Sequence, residues 1–367
     1  MGIMQYARLV PIQITLKNNE QLYLRKVEIM LRMTLSAAQT FIKEDVPAPK
    51  AAPGQVVIKI ARSGICGSDI HAYYDSHPFI SLPLVTGHEF AGEIVEIGEG
   101  VTGFNLGDRV TAMPQIYCGE CYNCRVGRYN ICETLKVIGC QVTGATQELL
   151  DVDAKLVLKL PDELSYDEGA MIEPVCVGVG SCRRTEVKDK RVVVLGAGTI
   201  GNLTAQAAKA MGAASVMITD MSESRLELAK KCGIEHTVNI AKQDLAEEMK
   251  KLWGADGADV IIECVGHQSA IDQAINVARK GIDIVVAGVF GELATVNMGL
   301  VQDKELSLIG TLMYTKQDWL DTIKFITEKK IALQPLMSAR FPLSKLDEAY
   351  RYIEENKDIA IKVLIES

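Results

Sequence analysis

The second half of the chain alternates short apolar runs with longer segments whose apolar residues recur at helical spacing. Residues 192–195 form a continuous apolar run, typical of a parallel strand buried on both faces. The same pattern predicts strands over 215–219, 258–265, 283–289 and 305–311, and helices over 199–211, 222–232, 244–253, 268–279 and 317–329. This alternation predicts βαβ units, and therefore an α/β fold with a doubly wound parallel sheet over residues 179–328.

The first half of the chain has a different pattern. Strands are predicted over 55–61, 90–97 and 109–112, and glycine turns separate them at intervals of about ten residues. This spacing indicates a β-rich, barrel-like domain over residues 30–178. A further helix over 346–356 and a strand over 360–365 are predicted near the end of the chain.

Residues 1–29 form an N-terminal extension that carries no recognisable motif. One interpretation is a strand over 13–24 that adds to the edge of the domain, and the other is a segment without regular structure. The sequence favours neither.

Composition and charge exclude some classes of function. The 367 residues are enough for about two domains, and 48% hydrophobic with 23% charged residues is ordinary for a globular protein. The net charge of −8 argues against nucleic acid or an anionic membrane as the main partner, because both require a basic surface. No apolar run reaches transmembrane length and no export signal is recognisable, so we expect a cytoplasmic protein.

Four of the ten cysteines lie within fifteen residues, in the pattern Cys118-x2-Cys121-x2-Cys124-x7-Cys132. Four thiolates can close tetrahedrally around one zinc ion and leave no open position, so we predict a structural zinc lobe over 118–132. An iron–sulfur cluster is the weaker alternative, because the chain offers no electron-transfer partner. The five cysteines without ligand spacing are interpreted as core residues: Cys140, Cys176, Cys182, Cys232 and Cys264.

A second metal site is predicted from Cys66, from His88 and Glu89 after Gly87, and from Glu173 before Pro174. Cysteine, histidine and carboxylate suit zinc, and three protein ligands leave a fourth position open for substrate. Read alone, Cys66 could be a small buried hydrophobe. Glu173 ends an apolar helix-like stretch over 169–172 and could be a local cap.

Ser68 and His71 follow Cys66 closely and could carry a proton from a bound alcohol to solvent. The alternative is that both are ordinary loop residues. The choice between these interpretations depends on whether Cys66 binds a metal.

A glycine-rich segment directly follows the predicted strand over 192–195 and opens a helix. Gly196, Gly198 and Gly201 match the dinucleotide-binding pattern, in which the first glycine makes the turn, the second admits the pyrophosphate and the third packs helix on strand. Asp220 ends the next strand, where a carboxylate accepts the ribose hydroxyls and repels a 2′-phosphate, so NAD is favoured over NADP. The remaining predicted cofactor-binding residues are Thr199, Ile200, Arg225, Val265 and Val289.

Together these motifs resemble the zinc-containing medium-chain dehydrogenase/reductase family from about residue 30 to the C-terminus. Segments 66–71 (CGSDIH), 87–101 (GHEFAGEIVEIGEGV) and 172–175 (IEPV) are similar to its polyol branch, which includes sorbitol, butanediol and threonine dehydrogenases. The resemblance implies a GroES-like catalytic domain to which residues 329–367 return, and a homodimer or homotetramer. It makes Cys66 and His88 zinc ligands, and leaves Glu89 and Glu173 as alternatives for the third.

The resemblance implies a zinc-dependent oxidoreductase, with two zinc ions per chain, that transfers hydride between NAD and a small secondary alcohol: a polyol, a diol or a hydroxy amino acid. The chain departs from sorbitol dehydrogenases at Ala72, where they usually carry Tyr, and at Met313, where they usually carry Arg. Both departures weaken the sorbitol assignment. The alternative is a non-catalytic protein that binds NAD(H) on the same fold.

Overall fold

The structure is a computed structural model that describes residues 29–367. Residues 1–28 of the N-terminal extension, and with them the alternative of a strand over 13–24, lie outside the described residues, whereas Ile29 already begins a strand. Within the described chain, no helix is long and apolar enough to cross a membrane.

The first half of the described chain is rich in strands. It contains β1 (Ile29–Ala37), β2 (Thr40–Pro47), β3 (Gln55–Gly64), α1 (Gly67–Tyr73), β4 (Glu89–Ile97), β5 (Arg109–Ala112), β6 (Gln115–Ile116), α2 (Tyr122–Arg125), β7 (Lys136–Val137), β8 (Leu149–Asp153), β9 (Val157–Lys159) and α3 (Tyr166–Cys182).

The second half alternates strand and helix. It contains β10 (Arg191–Leu195), α4 (Thr199–Ala210), β11 (Ser215–Asp220), α5 (Glu223–Lys231), β12 (His236–Asn239), α6 (Leu245–Trp253), β13 (Val260–Glu263), α7 (Gln268–Val277), β14 (Asp283–Val286), α8 (Met298–Asp303), β15 (Ser307–Gly310), α9 (Lys316–Thr327), β16 (Met337–Pro342), α10 (Leu346–Glu355) and β17 (Lys362–Glu366).

Strands from both ends of the described chain build the sheet of the strand-rich domain. Its order is β16-β17-β3-β4-β5-β9, and β8 also pairs with β3. The last strand of the chain therefore lies beside β3, with Ile365 opposite Ser63. This pairing places residues near the C-terminus next to the segment that begins with Cys66.

The second sheet is parallel, in the order β12-β11-β10-β13-β14-β15. Its central strand β10 has four fully buried residues, as expected of a strand covered by helices on both faces. From β10 the chain first adds strands on one side (β11, β12) and then on the other (β13, β14, β15). Doubly wound sheets bind a dinucleotide at the point where this direction changes. The predicted fold class is confirmed, whereas the exact boundaries 30–178, 179–328 and 329–367 stay a prediction.

Helix α3 is longer than the sequence indicated. The prediction recognised only residues 169–172 as helix-like, but α3 continues to Cys182 through Pro174. Ser165 caps its start by accepting from the Glu168 amide at 3.2 Å, while Glu168 accepts from the Ser165 amide at 2.9 Å. Most of the helix is buried, and this burial offsets the missing amide of Pro174.

Candidate active site and metal centres

The four cysteines of the predicted lobe converge around α2. All four Sγ atoms lie within 4.8 Å of one another. Sγ of Cys132 is 3.5 Å from that of Cys118 and 3.9 Å from that of Cys121. A tetrahedron with zinc–sulfur bonds of about 2.3 Å has edges of about 3.8 Å, so the donors fit a structural zinc.

Backbone amides favour the thiolate form in this lobe. The Cys118 amide donates to Cys132 Sγ at 3.3 Å, and the Cys121 amide donates to Cys118 Sγ at the same distance. Although burial opposes ionisation, the amides of Cys118 and Thr134 lower the pKa of Cys132 to about 6. The amides therefore favour the thiolate that zinc requires at Cys132, whereas burial raises the pKa of Cys124 to about 12.

The second cluster forms where β3 and β4 meet. Gly64 at the end of β3 pairs with Glu89 at the start of β4, and this register places Cys66 beside His88 and Glu89. One ligand atom from each of these three residues lies within 4.8 Å of the others. Cysteine, histidine and glutamate around one point fit a zinc ion that keeps an open position.

Asp69 holds two parts of this cluster together. The carboxylate is buried, accepts from the Cys66 amide at 2.9 Å and lies 3.7 Å from His88 Nδ1. At 3.7 Å this contact with the imidazole is electrostatic and is longer than a hydrogen bond. Burial alone would lower the pKa of His88, but Asp69, Cys140 and Cys66 outweigh it and raise that pKa well above its ordinary value.

Glu89 also contacts a buried lysine. Lys362 Nζ donates to both Glu89 oxygens at 2.6 Å and to the Ile65 carbonyl at 3.1 Å. The two side chains are 2% and 0% exposed. Each carboxylate oxygen has two lone pairs, so Glu89 can accept from Lys362 and still offer a lone pair to a metal.

Glu173 stands apart from the compact three-residue set. It projects from α3 and accepts a hydrogen bond from the Tyr314 hydroxyl at 2.5 Å. Burial raises the pKa of Glu173 to about 7. The two alternatives for the third ligand therefore differ in geometry, because Glu89 lies with Cys66 and His88 whereas Glu173 is held by Tyr314.

Ser68 and His71 lie three residues apart on α1, and residues at this spacing are neighbours on a helix surface. Ser68 is half-buried and His71 is exposed. A path from the metal cluster through Ser68 to His71 would therefore end at solvent.

The glycine-rich segment forms the turn between β10 and α4, as the sequence predicts. Gly201 contacts the backbone of Gly196 so closely that any Cβ would clash. Asp220 ends β11, where its two carboxylate oxygens accept from the Ala197 and Ser222 amides, each at 2.8 Å. Arg225 lies 3.9 Å from Asp220 and donates to the Lys357 carbonyl.

The predicted hydrophobic cofactor residues follow the next two strands. Val265 and Val289 come after β13 and β14 and are 50% and 65% exposed. Thr199 and Ile200 open α4. One cavity of about 180 Å³ is lined by Cys66 and Glu89 on one side and by Thr199 and Ile200 on the other. Two of the predicted metal ligands and two of the predicted cofactor residues therefore share one cleft.

Sequence reasoning overlooked several buried residues of this region. Lys362 lies in an apolar terminal strand, where a lone lysine was the available signal. Cys140 was interpreted as a core residue, and it is buried, but it also contacts His88. Glu263 ends β13 and is fully buried, and a carboxylate that closes an apolar strand was its signal.

A parallel dinucleotide-binding sheet beside a barrel-like domain that carries two zinc-compatible clusters defines a zinc- and nicotinamide-dependent oxidoreductase. Comparison with known proteins agrees. The alcohol dehydrogenase GroES-like domain family matches residues 52–162, and the zinc-binding dehydrogenase family matches residues 199–328.

Relatives match over most of the chain. A sorbitol dehydrogenase of Halalkalibacterium halodurans is 36% identical over 330 residues, which cover 89% of this chain and 95% of the relative. Galactitol-1-phosphate dehydrogenase from Escherichia coli is 30% identical with a TM-score of 0.86, and the match covers 92% of this chain and 100% of the dehydrogenase. 2R,3R-butanediol dehydrogenase from Bacillus subtilis is 29% identical with a TM-score of 0.85, over 92% and 99% of the two chains.

The chain belongs to the zinc-containing medium-chain dehydrogenase/reductase family, in the branch that contains the polyol dehydrogenases. It is an alcohol dehydrogenase that uses zinc and NAD and acts on a small-molecule alcohol. The non-catalytic alternative finds no support in these comparisons.

Proposed function

We propose that the protein oxidises a secondary hydroxyl of a polyol, a diol or a hydroxy amino acid, with NAD as the acceptor. The observation that carries the proposal is the shared cavity, because Cys66 and Glu89 face the same space as Thr199 and Ile200. A substrate hydroxyl at the metal cluster would therefore lie beside the cofactor, which is the arrangement that hydride transfer needs.

We assign the catalytic zinc to Cys66, His88 and Glu89, with Glu173 at the margin of the site. When bound, zinc would supply Lewis acidity at the substrate hydroxyl, and NAD would accept the hydride. Ser68 would accept the hydroxyl proton as its own hydroxyl proton passes to His71, and His71 would release it to solvent. Tyr314 orients the Glu173 carboxylate, and Asp69 places a negative charge beside the ring of His88.

The substrate class rests on the relatives and on two departures from the sorbitol pattern. The relatives named above act on sorbitol, galactitol 1-phosphate and butanediol. Ala72 is buried and provides no hydroxyl, and Met313 provides no charge. We therefore favour a substrate that is not held by the usual tyrosine and arginine of sorbitol dehydrogenases.

The test is NADH formation with a panel of sorbitol, xylitol, galactitol, sugar phosphates, 2,3-butanediol, threonine and simple alcohols. We expect turnover with at least one polyol or diol and none with primary monoalcohols at equal concentration. Turnover confined to primary monoalcohols would contradict the proposal. Repeating the panel with NADP tests the role assigned to Asp220.

We also propose a homo-oligomer that forms through the edge of the parallel sheet. Strand β15 lies at this edge and is largely exposed, including Leu308 at 36%. An exposed edge offers unpaired backbone groups to a second copy. Light scattering should give at least a dimer for the wild type and a smaller species for Leu308→Lys. A monomeric wild type would contradict this arrangement.

A cytoplasmic location is the remaining proposal. All ten cysteines lie in the described part of the chain and none forms a disulfide. Four of them form the predicted lobe, where zinc needs reduced thiolates, and a reducing compartment keeps them available. Fractionation of the source cells, with the protein followed by antibody, would test the location.

A further inference from the structure

A buried carboxylate at the end of β13 is not used in the chemistry above. Glu263 is 0% exposed and lies where the parallel strands end, beside the cofactor cleft. A buried carboxylate is costly unless hydrogen bonds compensate it, so its contacts indicate what it does.

Glu263 contacts two loops at once. Its Oε1 accepts from the amides of Val265 and Gly266 at 2.6 and 2.8 Å. Its backbone carbonyl accepts from the amides of Ala287 and Gly288 at 2.8 and 3.0 Å. One residue therefore joins the loop after β13 to the loop after β14.

The two loops also interlock sterically around this carboxylate. A Cβ on Gly288 would lie 2.6 Å from Glu263 Oε2 and would collide with the Gly266 amide. Gly266 has φ of +72°, and a Cβ there would collide with the Val289 carbonyl. The loops can adopt this arrangement only because both positions are glycine.

These loops carry two exposed valines, Val265 and Val289. Val265 Cγ2 lies 2.8 Å from where a Cβ on Gly196 would be, so this side chain covers the first glycine of the phosphate turn. In a sheet of this order, Asp220 belongs to the half that binds the adenosine. β13 and β14 belong to the other half, which binds the nicotinamide side.

We propose that Glu263 is a positioning residue for the nicotinamide ring: its buried carboxylate holds the loop of Val265, which the backbone carbonyl of Glu263 joins to the loop of Val289, in the register that shapes the ring pocket. The inference rests on the proposed function, because it requires NAD in this cleft. It assigns Glu263 no contact with the cofactor and no part in proton transfer.

The test compares two ligands that differ in the nicotinamide ring. NADH contains the ring, whereas ADP-ribose contains the adenosine, the pyrophosphate and the second ribose without it. Both dissociation constants are measured by calorimetry on the full chain. Glu263→Met keeps the size of the side chain and removes its acceptors, so the Val265 and Gly266 amides lose their partner.

We expect Glu263→Met to weaken NADH binding about tenfold, equal to about 1.4 kcal/mol. The dissociation constant of ADP-ribose should change less than about twofold. Glu263→Gln keeps one acceptor oxygen and should recover part of the loss. Glu148→Gln is the matched control, because Glu148 also accepts a backbone amide, that of Leu31 at 2.7 Å, but far from the cleft. This control should leave the ratio of the two dissociation constants unchanged.

Equal weakening of both ligands by Glu263→Met, or no change in either, would overturn the inference and leave Glu263 a purely structural residue. If Glu263→Met does not fold, Gly288→Ala tests how the loop after β14 packs against the intact carboxylate and should show the same selective loss. Failure of the wild type to bind NADH would instead refute the proposed function, so the two failures can be told apart.

Discussion

The buried pair of Glu89 and Lys362 leads to a prediction that separates it from the ion pairs on the surface. Lys362→Met keeps a long unbranched side chain and removes the charge. Glu89 is then left fully buried with neither of its two 2.6 Å contacts. A surface control is Lys345→Met, which breaks the exposed pair with Glu348 at 3.2 Å.

The two substitutions should differ several-fold in the stability that they remove. Removing one partner of a buried ion pair costs about 3–5 kcal/mol, because the other charge stays uncompensated. An exposed pair contributes about 0–1 kcal/mol. We therefore expect Lys362→Met to lower the melting temperature of the zinc-free protein by roughly 5–10 °C. Lys345→Met should shift it by no more than about 2 °C.

Calorimetry on zinc-free and zinc-loaded protein is the assay. Bound zinc should reduce the loss of melting temperature in Lys362→Met, because its positive charge would lie beside the Glu89 carboxylate. The double variant Glu89→Gln/Lys362→Met removes both charges and should recover much of the stability of the zinc-free protein. If Lys362→Met were as mild as Lys345→Met, the assignment of a buried, compensated charge pair would be refuted.

Three further predictions concern other groups. Burial raises the pKa of Glu173 to about 7 from 4.5. The contribution of Glu173 to the free energy of unfolding is therefore complete below pH 4.5 and is lost as the pH rises through 7. Unfolding of zinc-free protein should show a loss of about 3 kcal/mol over that range, which Glu173→Gln abolishes. Cys132→Ser should reduce zinc from two ions per chain to one by metal analysis, whereas Cys232→Ser should keep both. Hydrogen bonds from Arg191 lower the pKa of Asp259. The contribution of Asp259 to the free energy of unfolding is therefore present above pH 3.8 and is lost as the pH falls. Asp259→Asn should therefore cost about 1–3 kcal/mol at neutral pH, and the difference should vanish in acid denaturation.

Local patterns were sufficient for much of the fold. Apolar runs and glycine turns lie close together in sequence, so the strands β10, β11 and β14 and the glycine-rich turn follow from short segments. The four-cysteine lobe is local in the same sense, because its ligands span only fifteen residues. Helix α3 was underestimated because Pro174 normally indicates a helix end, and burial in the core overrides that preference.

Contacts between distant segments could not be predicted. Lys362 meets Glu89 across 273 positions because β17 returns to β3, and no sequence spacing encodes that pairing. Tyr314 meets Glu173 across 141 positions. The sequence identified both carboxylates as candidate ligands, but only the tertiary structure separates one beside Cys66 from one held by tyrosine.

The central claim is that Cys66, with His88 and Glu89, holds the zinc on which turnover depends. Polyol-dependent NADH formation by Cys66→Ser tests it most directly, on protein whose zinc content and NADH affinity are measured in parallel. We predict one zinc ion per chain, NADH binding as in the wild type, and no detectable turnover. Wild-type turnover by Cys66→Ser would contradict the account.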